Sequence, residues 1–186
     1  MELMDAIKKR RATRSLKKIN ISDEDVKKLA DAASLAPSCF NNQPWKFVFV
    51  RDENKLQELF DNLPKGNNWA HKASMIIGVF AKKDDDCAMG EREYFLFDTG
   101  FAVNNIMLRA TELGYVAHPI AGFKPKPCAE AMNIPSDHVL ITLVIVGPKA
   151  DDFNSELSED QLKAEKGRPP RKTINEFAFF DQYKEN

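Results

Sequence analysis

Cysteine is scarce in this chain, and its spacing offers no pair. There are three, Cys39, Cys87 and Cys128, and no C-x-x-C occurs. That pattern supplies neither a zinc ribbon nor a dithiol redox motif. With no signal-peptide pattern at the start, a reducing cytoplasmic setting is expected. The three histidines, His71, His118 and His138, lack the H-x-x-x-H type of ligand spacing, so no metal site is expected. No apolar run approaches the roughly 20 residues of a membrane span. G-x-G-x-x-G is missing too, which argues against a Rossmann-type grip on a dinucleotide. Nor does one charge dominate: 27 Lys and Arg stand against 28 Asp and Glu, a formal net charge of −1. A surface built throughout for nucleic acid does not fit that balance, and any anion site must come from local clustering.

What is present is ordinary for a folded domain: 186 residues, 43% hydrophobic and 30% charged. One domain over residues 1–186 is expected. Residues 2–11 read as a short helix with Leu3, Met4 and Ile7 on one face. Ser22 reads as an N-cap ahead of a helix that buries Val26, Leu29, Ala30 and Ala33 and stops before Pro37. Residues 45–50 read as a strand, 53–63 as an amphipathic helix, and 74–81 as a strand covered on both faces. The longest helix is predicted over 91–113, ended by Gly114 and apolar almost all round. A strand at 115–118, a short helix at 127–132 and an apolar strand at 139–146 follow. Beyond Pro148 the chain turns polar through Gly167. It closes on a basic run, Arg168-Pro169-Pro170-Arg171-Lys172, and an aromatic segment, Phe177-Ala178-Phe179-Phe180.

Two segments carry the chemistry. Arg10-Arg11-Ala12-Thr13-Arg14 places three arginines within five residues. Read plainly this is a solvated helix end, yet arginine is also the side chain that grips a phosphate bidentately. The basic run at 168–172 offers the rest of such a grip. Pro37-Ser38-Cys39-Phe40-Asn41-Asn42-Gln43-Pro44-Trp45 is dense in amide and hydroxyl side chains. It serves as a helix-to-strand connection, or as donors and acceptors for the edges of a planar heterocycle. Together the segments suggest a site for a ligand that is anionic at one end and flat and polar at the other.

The same segments resemble those of the FMN-dependent nitroreductase family, which begins with an R-R-S-x-R type box and continues with P-S-x-x-N-x-Q-P-W. Pro37, Ser38, Asn41, Gln43, Pro44 and Trp45 match the second pattern. Asp98-Thr99-Gly100-Phe101-Ala102 with Asn105 and Leu108 resembles the family's central helix. Pro119-Ile120-Ala121-Gly122-Phe123 resembles its P-I-x-G-F turn, and Arg168–Lys172 its C-terminal basic motif. The resemblance implies an α+β fold, three-layered, with a central mixed sheet between helical layers in an intertwined homodimer. The segment from about 168 to 186 would pack on the partner.

For the site, the resemblance implies that Arg10, Arg11, Thr13, Arg14, Arg171 and Arg168 hold the FMN phosphate and ribityl chain. Pro37, Ser38, Cys39 and Asn41 would meet the isoalloxazine from the other subunit. Asn67 or Asn68 would lie near the flavin, a choice the sequence leaves open. Pro119 and Ile120 lead to Ala121 and Gly122, whose backbone would stand beside N5; no catalytic acid or base is implied. Ala12 departs from the usual serine, leaving one cofactor hydrogen bond missing or taken over by Thr13. Ala121 replaces a glutamate found in several members.

The implied activity is hydride transfer from NADH or NADPH through FMN to a nitroaromatic, a quinone or an activated alkene, by a ping-pong mechanism. A flavin reductase or dehalogenase acting on one metabolite is the alternative within the fold. A non-enzymatic module binding nucleic acid through residues 8–18 is the alternative outside it.

Overall fold

The structure, a computed structural model, describes residues 1–184. Its elements are α1 (Leu3–Lys9), α2 (Asp23–Ser34), β1 (Trp45–Val50), α3 (Glu53–Phe60), β2 (Met75–Ala81), β3 (Ala88–Met89), β4 (Arg92–Glu93), α4 (Tyr94–Glu112), β5 (Tyr115–Ile120), α5 (Pro125–Ala131), β6 (Val139–Pro148) and α6 (Glu159–Lys166). The main sheet has the order β1-β2-β6-β5, and β3 and β4 form a small hairpin apart from it.

The apolar runs explain the layering. Every residue of β2 is buried, so both of its faces need cover. Met75, Ile77 and Val79 join one core with Leu29 and Ala33 of α2 and Ala102, Ile106 and Ala110 of α4. Ile76 and Phe80 point the other way, into a second core with Leu56 and Leu59 of α3, Trp69 and Cys128. The period-2 alternation of a strand thus divides one apolar run between two helical layers. The α+β class and the layered arrangement agree with expectation. The three pairings of the main sheet are all antiparallel among the described residues, where a mixed sheet was expected.

Local signals set the boundaries. Ser22 accepts the Asp25 N–H at 3.1 Å and caps α2. Asp52 does the same for α3, accepting from Asn54 and Lys55 at 3.0 Å. Gly114, at φ +86°, ends α4 in the left-handed region that a residue with a Cβ rarely enters. Two elements go beyond the expectation. α6 lies in the polar stretch after Pro148, begun by a capping box between Ser158 and Gln161. The β3–β4 hairpin lies in the acidic segment after β2.

Several large apolar side chains find no cover among the described residues. Leu3, Met4 and Ile7 of α1, Leu96, Phe97 and Phe101 of α4, and Phe177, Phe179 and Phe180 near the C-terminus are all exposed. The aromatic ending does not fold back onto its own core. The final two residues of the 168–186 segment lie outside the described residues.

Candidate functional site

The arginine box follows α1, and the second basic run follows α6, so each sits where a helix ends. Arg10, Arg11, Ala12, Arg14, Arg168 and Arg171 line one cavity of about 240 Å³, together with Ala164 and Pro169. The five arginines have two different tasks. Arg11 donates through Nη2 to the carbonyls of Ala164 and Gly167, both at 2.9 Å, and so satisfies the open end of α6. Arg168 returns the arrangement, donating to Lys8 O at 2.7 Å and Arg10 O at 2.8 Å at the end of α1. These two are clamps between the helices.

Arg10, Arg14 and Arg171 are left to face the cavity, and among the described residues no carboxylate forms an ion pair with any of them. The pKa of Arg10 is lowered first by burial and then by the nearby charges of Arg168 and Arg171. Cations gathered without a counter-charge are a binding surface for an anion.

Glu165 is what holds the box in place. Its buried carboxylate accepts the N–H of Arg14 at 3.1 Å and of Ser15 at 2.9 Å. Arg14 itself lies over the Trp69 ring, 5.9 Å from its centroid. Thr13 is buried, and its Oγ1 has no hydrogen-bond partner among the described residues. Trp69 also stacks on His118, with ring centroids 4.7 Å apart. Burial pushes the His118 pKa down to about 4, and the ring lies within hydrogen-bonding distance of the Thr13 carbonyl, Nδ1 to O 3.2 Å. A neutral ring with its proton on Nδ1 donates that bond.

The same tryptophan reaches the Pro119–Phe123 turn. Trp69 Nε1 donates to Asn67 Oδ1 at 3.2 Å, and Asn67 Nδ2 donates to Gly122 O at 2.8 Å. A Cβ on Gly122 would stand 2.9 Å from Asn67 Nδ2 and 3.3 Å from Pro64 Cγ, so the close approach requires glycine. Pro119 and Ile120 belong to β5 and pair with Val144 and Leu143, while Ala121 is exposed just beyond the strand. Asn68 is half-buried beside Asn67. Thr13, Arg14, Trp69, Asn67 and Gly122 therefore form one continuous chain of contacts from the cation cavity to the turn.

Pro37, Ser38, Cys39 and Asn41 form a separate group. None of them lines the arginine cavity. Their loop is anchored to α4, where the buried Asp98 accepts the Cys39 N–H at 2.6 Å. Burial raises the Asp98 pKa, opposed by that N–H and reinforced by Asp86. Ser38 Oγ accepts from Gln43 N at 3.0 Å.

The cysteines require a correction. The sequence spacing offered no pair, but Cys39 and Cys87 are joined in a disulfide across 48 residues, and Cys128 alone is a free, buried thiol. The fold brings together what no C-x-x-C search can detect. Both sulfurs lie within 4.8 Å of an Asp86 oxygen, but as a disulfide they are not thiolate ligands for a metal. Glu165 and Trp69 carried no site role in the sequence, nor did Asp98 and His118, although Asp98 stood in the central-helix motif. Only the capping box at 158–161 signalled that α6, and with it Glu165, exists.

The arginine-lined cavity, tied to a glycine turn beside a helix-covered antiparallel sheet, gives an α+β domain with one candidate anion site. The nitroreductase family model matches residues 7–72 and 61–148, and the chain belongs to that family. It is an oxidoreductase. A protein of Archaeoglobus fulgidus, provisionally named an NADH dehydrogenase/NAD(P)H nitroreductase, is 29% identical over 170 residues, covering 89% of this chain and 95% of its own. A 5,6-dimethylbenzimidazole synthase of Rhodospirillum rubrum is 23% identical over 163 residues, covering 74% and 77% respectively. A solved oxidoreductase containing FMN is similar at a TM-score of 0.83 and 26% identity, covering 97% of this chain and 92% of that one.

Proposed function

We propose that the chain is a homodimeric FMN-dependent oxidoreductase that passes hydride from NADH or NADPH to an electron-poor small molecule by a ping-pong mechanism. The observation that carries this reading is the cavity faced by Arg10, Arg14 and Arg171, three cations without a carboxylate partner among the described residues. A flavin mononucleotide phosphate supplies the missing charge. The buried, unpartnered hydroxyl of Thr13 fits the same ligand as a donor beside Ala12, where the family's serine is missing.

In this reading Arg10, Arg14 and Arg171 neutralise the phosphate, and Arg11 and Arg168 fix the two chain segments that carry them. Asn67 holds the turn at Ala121 and Gly122, whose backbone dipoles stabilise charge at the reacting end without reorganising. Bound FMN would supply the hydride-accepting ring. Pro37, Ser38, Cys39 and Asn41 would cover that ring from a second subunit, with Asn68 nearby. The exposed faces of α1 and α4 and the aromatic segment 177–180 fit burial in such a dimer. The whole chain then acts as one domain, in the cytoplasm where reduced nicotinamides are made.

The acceptors favoured are nitroaromatics, quinones and activated alkenes. The similarity to a 5,6-dimethylbenzimidazole synthase favours the second reading, a flavin enzyme devoted to one metabolite. Stopped-flow reoxidation of the NAD(P)H-reduced protein by a panel of these acceptors decides between them. Fast reoxidation by several classes supports the broad enzyme, and uniformly slow reoxidation supports the dedicated one. Failure of NADH and NADPH to reduce the FMN-loaded protein would overturn both.

A further inference from the structure

The Cys39–Cys87 disulfide does not staple the core. It joins two half-exposed surface segments, the loop between α2 and β1 and the acidic excursion between β2 and α4. Neither cysteine belongs to the two apolar clusters that cover the sheet. The bond therefore acts on the loop, and the loop is one that needs holding.

Phe40, Asn41 and Gln43 have φ of +47°, +58° and +51°, a left-handed conformation that residues with a Cβ avoid. Phe40 is 90% exposed and contributes little packing of its own. Besides the disulfide, three polar contacts tie this loop to the region from Asp86 to Asp98, one of them from Asn42 Nδ2 to Cys87 Sγ at 3.6 Å. Asn42 Nδ2 donates to Asp86 Oδ1 at 3.2 Å, and the Cys39 N–H donates to Asp98 at 2.6 Å. The covalent tie and these contacts hold the same strained backbone together.

The third cysteine does not compete for exchange. Cys128 is buried, and burial pushes its thiol pKa up to about 11, so it offers almost no thiolate near neutral pH. Disulfides in a reducing compartment are as a rule catalytic or redox-sensing, because thiols there reduce any pair they can reach.

We propose that Cys39–Cys87 is a thiol–disulfide exchange site that takes dithiol reductants, and that its reduction releases the 37–43 loop from the 86–98 region. One thiolate of the reductant attacks one sulfur of the pair, forming a mixed disulfide and expelling the other as a thiolate, which takes up a proton. The reductant's second thiol then displaces the remaining cysteine. Two electrons and two protons pass to the protein, and the reductant leaves as a cyclic disulfide. The inference rests on the loop geometry and on the reducing setting of the proposed function, and does not depend on a bound flavin.

The test uses the full chain purified without reductant. Thiol titration in denaturant should find one thiol per chain, Cys128, and three after native-state treatment with dithiothreitol followed by its removal. Hydrogen exchange read by mass spectrometry should then accelerate in peptides covering 37–43 and 86–93, with β2 unchanged. Oxidised glutathione should restore the slow pattern. Cys87→Ser should match the reduced wild type and ignore dithiothreitol; the wild-type comparison stands alone if that variant fails to fold. Three titratable thiols after oxidised-glutathione treatment, a pair that resists dithiothreitol in the native state, or loop exchange that is the same in both redox states would each overturn the proposal.

Discussion

Glu165 on α6 receives the backbone N–H of Ser15 at 2.9 Å, although 150 residues separate them in the chain. The adjacent Arg14 N–H reaches the same carboxylate at 3.1 Å. A polar C-terminal helix thereby sets the course of the arginine box near the start of the chain. Removal of that carboxylate leaves buried donors without an acceptor, at a cost of about 1–3 kcal/mol each. Glu165→Ala is expected to lower stability by about 2–4 kcal/mol in urea unfolding, and Glu165→Gln, which keeps one carbonyl acceptor, by less.

Arg10 and Arg11 are neighbours in sequence with opposite expected phenotypes. Arg11 is occupied by the carbonyls of Ala164 and Gly167, whereas Arg10 faces the cavity. Arg10→Ala should weaken FMN binding by roughly 1.5–3 kcal/mol, the range for a hydrogen bond to a charged group. Its melting temperature without FMN should change little. Arg11→Ala should lower that melting temperature. Fluorescence titration and thermal melts of the two variants separate the roles.

His118 makes stability pH-dependent. Its pKa falls from 6.5 unfolded to about 4 folded because burial disfavours the imidazolium. Between those values the unfolded chain binds more protons, so this contribution is full above pH 6.5 and is lost as pH falls towards 4. The shift corresponds to about 3 kcal/mol over that window. Urea midpoints measured from pH 7 to pH 4 should fall in the wild type. They should fall less steeply in His118→Gln, whose amide can still donate to the Thr13 carbonyl.

Gly122 tests the link between turn and box. Its absent Cβ leaves room for Asn67 Nδ2, which donates to Gly122 O at 2.8 Å. Gly122→Ala forces that amide or Pro64 to move, with an expected loss of about 1–3 kcal/mol from overpacking. Asn67→Ala should produce a loss of similar size through the freed carbonyl. The double variant should cost less than the sum if one contact is at stake, and a double-mutant cycle measures the difference.

The sheet was legible because β2 and β6 are apolar runs that only a doubly covered strand explains. Ser22 marked the start of α2, and Gly114 the end of α4, through chemistry local to each position. The site was legible as residue types but not as tasks. Nothing in R-R-A-T-R shows that Arg11 would bond carbonyls at the end of α6, because those carbonyls arrive through tertiary packing. α6 itself is too polar to stand out by periodicity, and its capping box was the available local sign. The Cys39–Cys87 bond joins positions 48 apart whose proximity depends on where α4 begins and how the loop after α2 turns.

Arg10, Arg14 and Arg171 are proposed to form the seat of a flavin phosphate. Titration of the purified, flavin-free chain with FMN and with riboflavin, read by flavin fluorescence, tests it most directly. Saturable FMN binding is expected, with much weaker binding of riboflavin, which lacks the phosphate, and loss of that preference in Arg10→Ala. Equal binding of the two flavins, or no binding of either, would contradict it.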